Sequence, residues 1–203
     1  MNELTVSEND KLQFLADLRQ STAASHQKLE DSELSKAILL PDVTLAAYQT
    51  YLVKMYGVTK AAEDSIFPVI EGVVPDLDQR YKSLHVLEDL AKTGYPEEKL
   101  SSIPVFDYPF SSVSEALGFM YVTEGSTLGG RVLFKHIHQT LGLTAENGAS
   151  YFWGYGPQTG ILWKSFIAAL TRFAVEKDES EKIIESAVQT FANIDNWLNE
   201  AAY

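Results

Sequence analysis

Apolar residues recur at three-and-four spacing along almost the whole chain and nowhere alternate as a half-buried strand requires, so the core has to be built from helices packed on helices. Leu15, Leu18, Thr22, His26 and Leu29 fall on one face of a first helix, with His26 near its end. A second helix starts after PDVT, capped by Asp42 or Thr44, and carries Leu45, Tyr48, Leu52, Met55 and Ile66 toward the core until Pro68 stops it. A third runs from Asp76 to Lys92 and is closed by Thr93, Gly94 and Pro96. SSIPVFDYPF, residues 101–110, reads as an extended connector. Helix resumes at Ser111 or Ser114, with Glu115 in its first turn, and continues to about Gly142. After a loop holding Asn147, Gly148, Gly154, Gly156 and Gly160, two last helices cover about 161–175 and 179–200. With 203 residues and no repeat or linker, the expectation is one all-α domain over 1–203, its first ten residues flexible.

The longest of these helices contains YVTEGSTLGGRVLF, residues 121–134, with Gly125, Gly129 and Gly130 in its interior. Each glycine costs a helix roughly 1 kcal/mol relative to alanine, so something must compensate. Gly125 and Gly129 are four apart and share a face, where they expose backbone. Two readings fit: a tight crossing with another helix, or backbone laid against a flat ligand. A phosphate loop does not fit, because GSTLGGR lacks the Lys-Ser/Thr ending and follows no strand.

Composition narrows the chemistry. Twenty-eight acidic against 16 basic residues give a net charge of -12, the wrong sign for a nucleic-acid partner. The absence of cysteine removes disulfides and thiol nucleophiles, leaving His, carboxylate and oxygen donors for any metal. The N-terminal residues carry no secretory pattern and no segment is apolar enough for membrane insertion, so a cytoplasmic location is expected.

The histidines are His26, His85, His136 and His138, and none belongs to a zinc signature. No Glu-x-x-His pair of a di-iron bundle and no G-x-S-x-G elbow is present. His26 stands apart because it lies on the apolar side of the first helix with Glu30 four residues on, placed to bond the ring's other nitrogen, which makes a single axial ligand plausible. Arg19, seven residues earlier, lies on nearly the same face and is available to a ligand carboxylate. The aromatic run YFWGYGPQTGILWKSF, residues 151–166, reads equally as core packing around a loop.

Taken together, LRQSTAASHQKLE at 18–30 and YVTEGSTLGGRVLF at 121–134 resemble the two helices that sandwich haem in the haem oxygenase family. The first matches the pattern of a basic residue, a Thr, the proximal His and a Glu four beyond it. The second matches the glycine-bearing distal helix. YFWGYGPQTGILWKSF and AVQTFANIDNWL are similar to the bacterial branch, including members associated with bacterial phytochromes, so the resemblance runs over nearly the whole chain.

The resemblance implies a helical bundle holding haem between a proximal and a glycine-bearing distal helix. It implies His26 as the axial iron ligand, Glu30 beside it, Arg19 near a haem propionate, and Gly125, Ser126, Gly129 and Gly130 along the distal side, with Lys164 and Phe191 framing the pocket. Ser126 stands where animal members have Asp, and Met120 where they have Tyr. The implied activity is oxidative opening of haem, both cofactor and substrate, to biliverdin with release of carbon monoxide and ferrous iron. It would draw on O2 and an electron donor such as a ferredoxin, a flavodoxin or a reductase, and could feed a bilin-accepting photoreceptor. The alternative is a carrier of the same fold that holds haem or a bilin without turnover.

Overall fold

The computed structural model describes residues 7–200, and those residues form helices joined by short loops, with no strand among them. The helices are α1 (Glu8–Glu30), α2 (Glu33–Ala37), α3 (Leu45–Ala61), α4 (Phe67–Ile70), α5 (Ser83–Lys92), α6 (Glu97–Leu100), α7 (Val113–Leu141), α8 (Ser150–Trp153), α9 (Thr159–Glu176) and α10 (Ser180–Asn199). Of the start expected to be flexible, residues 1–6 lie outside the described residues and Glu8–Asp10 form the first turn of α1, capped by Ser7.

Thr44 caps α3, accepting the Ala47 N–H at 3.1 Å. Pro68 does not stop the chain there. A π-helical turn, Ala62–Ile66, carries α3 directly into α4, where Pro68 occupies a first-turn position that needs no N–H donor. The helix expected from Asp76 begins only at Ser83, because Asp76 takes a left-handed backbone (φ 60°) and a single 3-10 turn, Leu77–Gln79, turns the fully buried Arg80 inward. Residues 103–111 run without helix, as expected of the connector. Ser112 caps α7, and Gly142, left-handed at φ 70°, ends it.

The core is centred on α10, against which α1 and α7 both pack. Close approach at two glycines makes this possible. A Cβ on Gly118 of α7 would lie 2.6 Å from Ser186 Cβ and 2.7 Å from the Ile183 carbonyl oxygen on α10. One on Gly57 of α3 would lie 2.6 Å from the Trp197 ring. Ser186 Oγ donates to the Glu115 carbonyl at 2.7 Å, pinning the α7–α10 crossing, and Lys28 pairs with the buried Asp195 at 2.9 Å to tie α1 to α10. A second apolar cluster, including Tyr48, Leu52, Leu90, Ile137 and Phe152, joins α3, α5, α7 and α8. Buried Asp89 accepts the Ser150 and Tyr151 N–H groups at 2.9 and 2.7 Å, holding α8 on α5. With α7 anchored at both ends, its glycine-bearing middle borders a pocket.

Candidate functional site

Gly125, Gly129 and Gly130 lie within one uninterrupted helix but have different surroundings. Gly130 is buried, and a Cβ there would stand 3.3 Å from the Phe152 carbonyl oxygen, so its missing side chain lets α8 approach α7. At Gly129 a Cβ would meet nothing within 4 Å, and at Gly125 only the Trp163 ring edge at 3.7 Å. The helix-crossing reading therefore describes Gly118 and Gly130. Gly129 faces open space, and Gly125 has only the Trp163 ring at contact distance.

Beside them lies a pocket enclosing about 660 Å³, part of it open to solvent. Leu29 of α1, Thr123, Glu124 and Ser126 of α7, and Ile194 and Leu198 of α10 contribute to its wall. Leu29 is three residues past His26, and Ser126 adjoins Gly125. The pocket thus reaches from Leu29 near the end of α1 to Ser126 on α7, while His26, Gly125, Gly129 and Gly130 are not part of its wall.

His26 is exposed at the side chain (55%), its ring standing edge-on to buried Phe191 at a centroid separation of 5.4 Å. Glu30 Oε1 lies 3.6 Å from His26 Nε2, longer than a hydrogen bond, so the carboxylate adjoins the ring without fixing it. The orientation expected from Glu30 is not formed in this arrangement. Phe191 supplies the packing that positions the imidazole. Arg19 is exposed on α1, two turns before His26. Lys164 is exposed on α9 and contributes nothing to the pocket wall. Ser126 is exposed at the pocket, and its hydroxyl donates to the Thr123 carbonyl at 2.7 Å, leaving the oxygen's lone pairs outward. Met120, fully buried, lines the pocket floor.

A polar network that the sequence reading does not contain closes the other side of this pocket. Buried Glu124, immediately before Gly125, accepts a hydrogen bond from Arg80 Nη1 through Oε2. Its Oε1 accepts the Tyr155 hydroxyl at 2.7 Å and lies 3.5 Å from Lys82 Nζ. Arg80 Nη2 donates to the Leu162 carbonyl at 3.0 Å, and Lys82 Nζ stands 4.8 Å over the Tyr155 ring. Glu63, on the π-helical turn, accepts the Lys82 and Ser83 N–H groups at 2.6 and 2.7 Å and so fixes the start of α5. Burial raises the Tyr155 phenol above its ordinary range, aided by the Glu124 carboxylate, and burial pushes Tyr51 in the pocket wall up to about 12. Both phenols therefore keep their protons at neutral pH, and that of Tyr155 is donated to Glu124.

Two of the remaining histidines are otherwise engaged. His136 Nε2 lies 3.0 Å from the Leu40 carbonyl and His138 Nδ1 2.9 Å from that of Leu143, while His85 is exposed on α5. Among the described residues no three His, Asp or Glu side chains converge as a metal cage.

No helix among the described residues is long and apolar enough to cross a membrane. Among solved structures, the heme oxygenase of Leptospira interrogans superimposes with a TM-score of 0.75 at 18% identity, covering 93% of this chain and 99% of that one. The NO- and CO-bound heme oxygenase of Neisseria meningitidis gives 0.71 at 24% identity, covering 93% and 94%. Heme oxygenase-1 of the cyanobacterium Synechocystis, in complex with heme, gives 0.72 at 16% identity, covering 92% and 90%. The heme oxygenase PigA of Pseudomonas aeruginosa is 33% identical over 120 residues, a match that spans 58% of this chain and 58% of that relative. The family model described as Heme oxygenase matches residues 12–200, from the first turns of α1 to the end of α10, and the chain belongs to that family.

Proposed function

We propose that this protein is a haem oxygenase that takes haem into the cleft between the end of α1 and the middle of α7 and opens the macrocycle to biliverdin, with release of carbon monoxide and ferrous iron. The observation that carries the reading is the contrast along α7: a Cβ on Gly118 or Gly130 would press on neighbouring backbone or side chain at 3.3 Å or less, whereas one on Gly125 would meet only the Trp163 ring at ordinary contact distance and one on Gly129 nothing within 4 Å. Haem, with O2 and electrons from a ferredoxin, a flavodoxin or a reductase, supplies the oxidative chemistry. A cytoplasmic location belongs to the same reading.

The protein's part is to bind and orient. His26, packed on Phe191, would hold the haem iron through one imidazole nitrogen, with the Glu30 carboxylate 3.6 Å from Nε2 beside the ring. Arg19 offers a cation to a propionate at the cleft edge. Gly125 and Gly129, having no side chains, would let the macrocycle lie close to the α7 backbone. Ser126 presents its oxygen as an acceptor for a water, and Glu124, paired with Arg80 and Lys82, stands two residues before it as a fixed acceptor within the pocket wall. The Tyr155 hydroxyl donates to that carboxylate's Oε1.

One equivalent of hemin added to the purified protein should produce a shifted Soret band, and a reductant in air should then replace it with a bilin spectrum. A persistent ferrous or oxygenated haem spectrum would identify a carrier instead. No Soret shift would remove haem from the site.

A further inference from the structure

A second pocket, sharing no wall residue with the first, opens between α3, α6, the connector and α10 and encloses about 620 Å³, part of it open to solvent. Its walls are Val53, Ile103, Pro104 and the Trp197 ring, with Tyr95, Ser102 and two lysines, Lys54 and Lys99. Lys99 is exposed at the mouth, while Lys54 is only 3% exposed.

Lys54 is an anomaly in a helix interior. Its Nζ is fully covered and, among the described residues, has no hydrogen-bond partner. It stands 4.5 Å over the Trp197 ring, whose indole N–H donates to the Lys54 carbonyl at 2.9 Å and so locks ring and lysine together. A cation over an indole face gains some stabilisation, but three N–H donors without an acceptor still carry the penalty of desolvated charge. Burial accordingly lowers the Lys54 ammonium below the ordinary lysine range, against a smaller opposing effect of Glu200. A chain of net charge -12 has carboxylates in abundance, yet this lysine sits among apolar side chains and beside an open pocket.

We infer that this second pocket binds a small organic carboxylate with an apolar body, its carboxylate taken by Lys54 with Lys99 at the mouth and its body laid against Val53, Ile103, Pro104 and Trp197. One desolvated ammonium matches a monoanion, and the apolar walls favour an aliphatic or aromatic body over inorganic phosphate, whose two charges would need more donors than the pocket offers. The site is independent of the haem reading, because none of its residues lines the first pocket.

Benzoate is the probe, with acetate and inorganic phosphate as controls, titrated into the full chain and followed by the indole N–H resonances. Saturable movement of the Trp197 resonance by benzoate, weaker movement by acetate and none by phosphate is expected. Movement of the Trp153 or Trp163 resonance without that of Trp197, which alone of the three lines the second pocket, would place benzoate elsewhere and overturn the assignment. Lys54→Met retains shape and removes the buried charge, and it should raise the benzoate Kd at least about tenfold while the apoprotein stays folded. Lys99→Gln, at the exposed mouth, should raise it only about twofold to threefold. Equal benzoate affinity in Lys54→Met, phosphate binding as tight as benzoate, or no movement of Trp197 would each overturn the inference.

Discussion

Tyr155 donates its hydroxyl to Glu124 Oε1 at 2.7 Å, while Arg80 takes the same carboxylate's other oxygen, so one buried glutamate on α7 ties down both the chain before α5 and the loop before α9. Glu124→Gln would leave Arg80, fully buried, beside a neutral amide. Removing one member of a buried ion pair costs about 3 kcal/mol or more, whereas deleting one hydrogen bond to a charged group costs about 1.5 kcal/mol. Urea denaturation should therefore rank Glu124→Gln well below Tyr155→Phe. A Glu124→Gln midpoint equal to that of the parent would show that the network does not hold these segments together.

The glycines of α7 should respond in opposite directions to the same substitution. Gly118→Ala drives a methyl into Ser186 and the Ile183 carbonyl and should destabilise the fold by about 2 kcal/mol. Gly129→Ala adds helix propensity in open space and should stabilise the apoprotein by up to ~1 kcal/mol. If Gly129 faces haem, that variant should also bind hemin more weakly and turn it over more slowly. Thermal melts of both apoproteins, followed by hemin titration of Gly129→Ala, separate packing from ligand approach. A stabilised Gly129→Ala with unchanged hemin affinity would take Gly129 out of the haem site.

What the sequence made legible follows from how local each signal is. The bounds of α7 could be read because Ser112 lies between the two proposed starts and Gly142 is a left-handed stop, both features of adjacent residues. The start of α5 could not, because Asp76 leaves helical geometry to turn Arg80 toward Glu124, a partner 44 residues away. Pro68 reads as a helix stop and is not one, because a proline in a first turn has the same letter as one that ends a helix. In the site, His26 and the glycines stand out by residue type. Glu124 lies inside the very stretch that drew attention, but its letter does not tell a solvated helix face from a buried arginine's counter-ion. Gly118 was likewise silent: only the position of Ser186 on α10 makes it a crossing point.

His26→Ala should separate ligation from folding. The side chain is exposed, its contact with Glu30 is longer than a hydrogen bond, and only its edge touches Phe191. The expected loss of stability is within about 0.5 kcal/mol, as for surface positions generally. The hemin Soret band should lose its histidine-ligated form, and added imidazole should restore it in part. A parent-like spectrum without imidazole would reassign the axial ligand.

Acid should loosen α7 first at its N-terminus. Glu115 accepts the Ser111 N–H at 2.6 Å, and its own N–H bonds Ser112 Oγ at 3.3 Å. The Ser111 N–H is the main cause that lowers the Glu115 carboxyl below its ordinary range, opposed in part by burial. A folded-state value below the unfolded one means that the unfolded chain binds the proton first, so the stabilisation is complete above the ordinary glutamate range. It is lost as pH falls through that range to the lowered folded value. The group is largely solvated, which limits the effect to about 0.5 kcal/mol. Glu115→Gln should match the parent's stability at low pH, fall below it at neutral pH, and show a shallower acid limb in urea midpoints measured against pH. Parallel limbs for the two proteins would show that Glu115 does not contribute to the acid response.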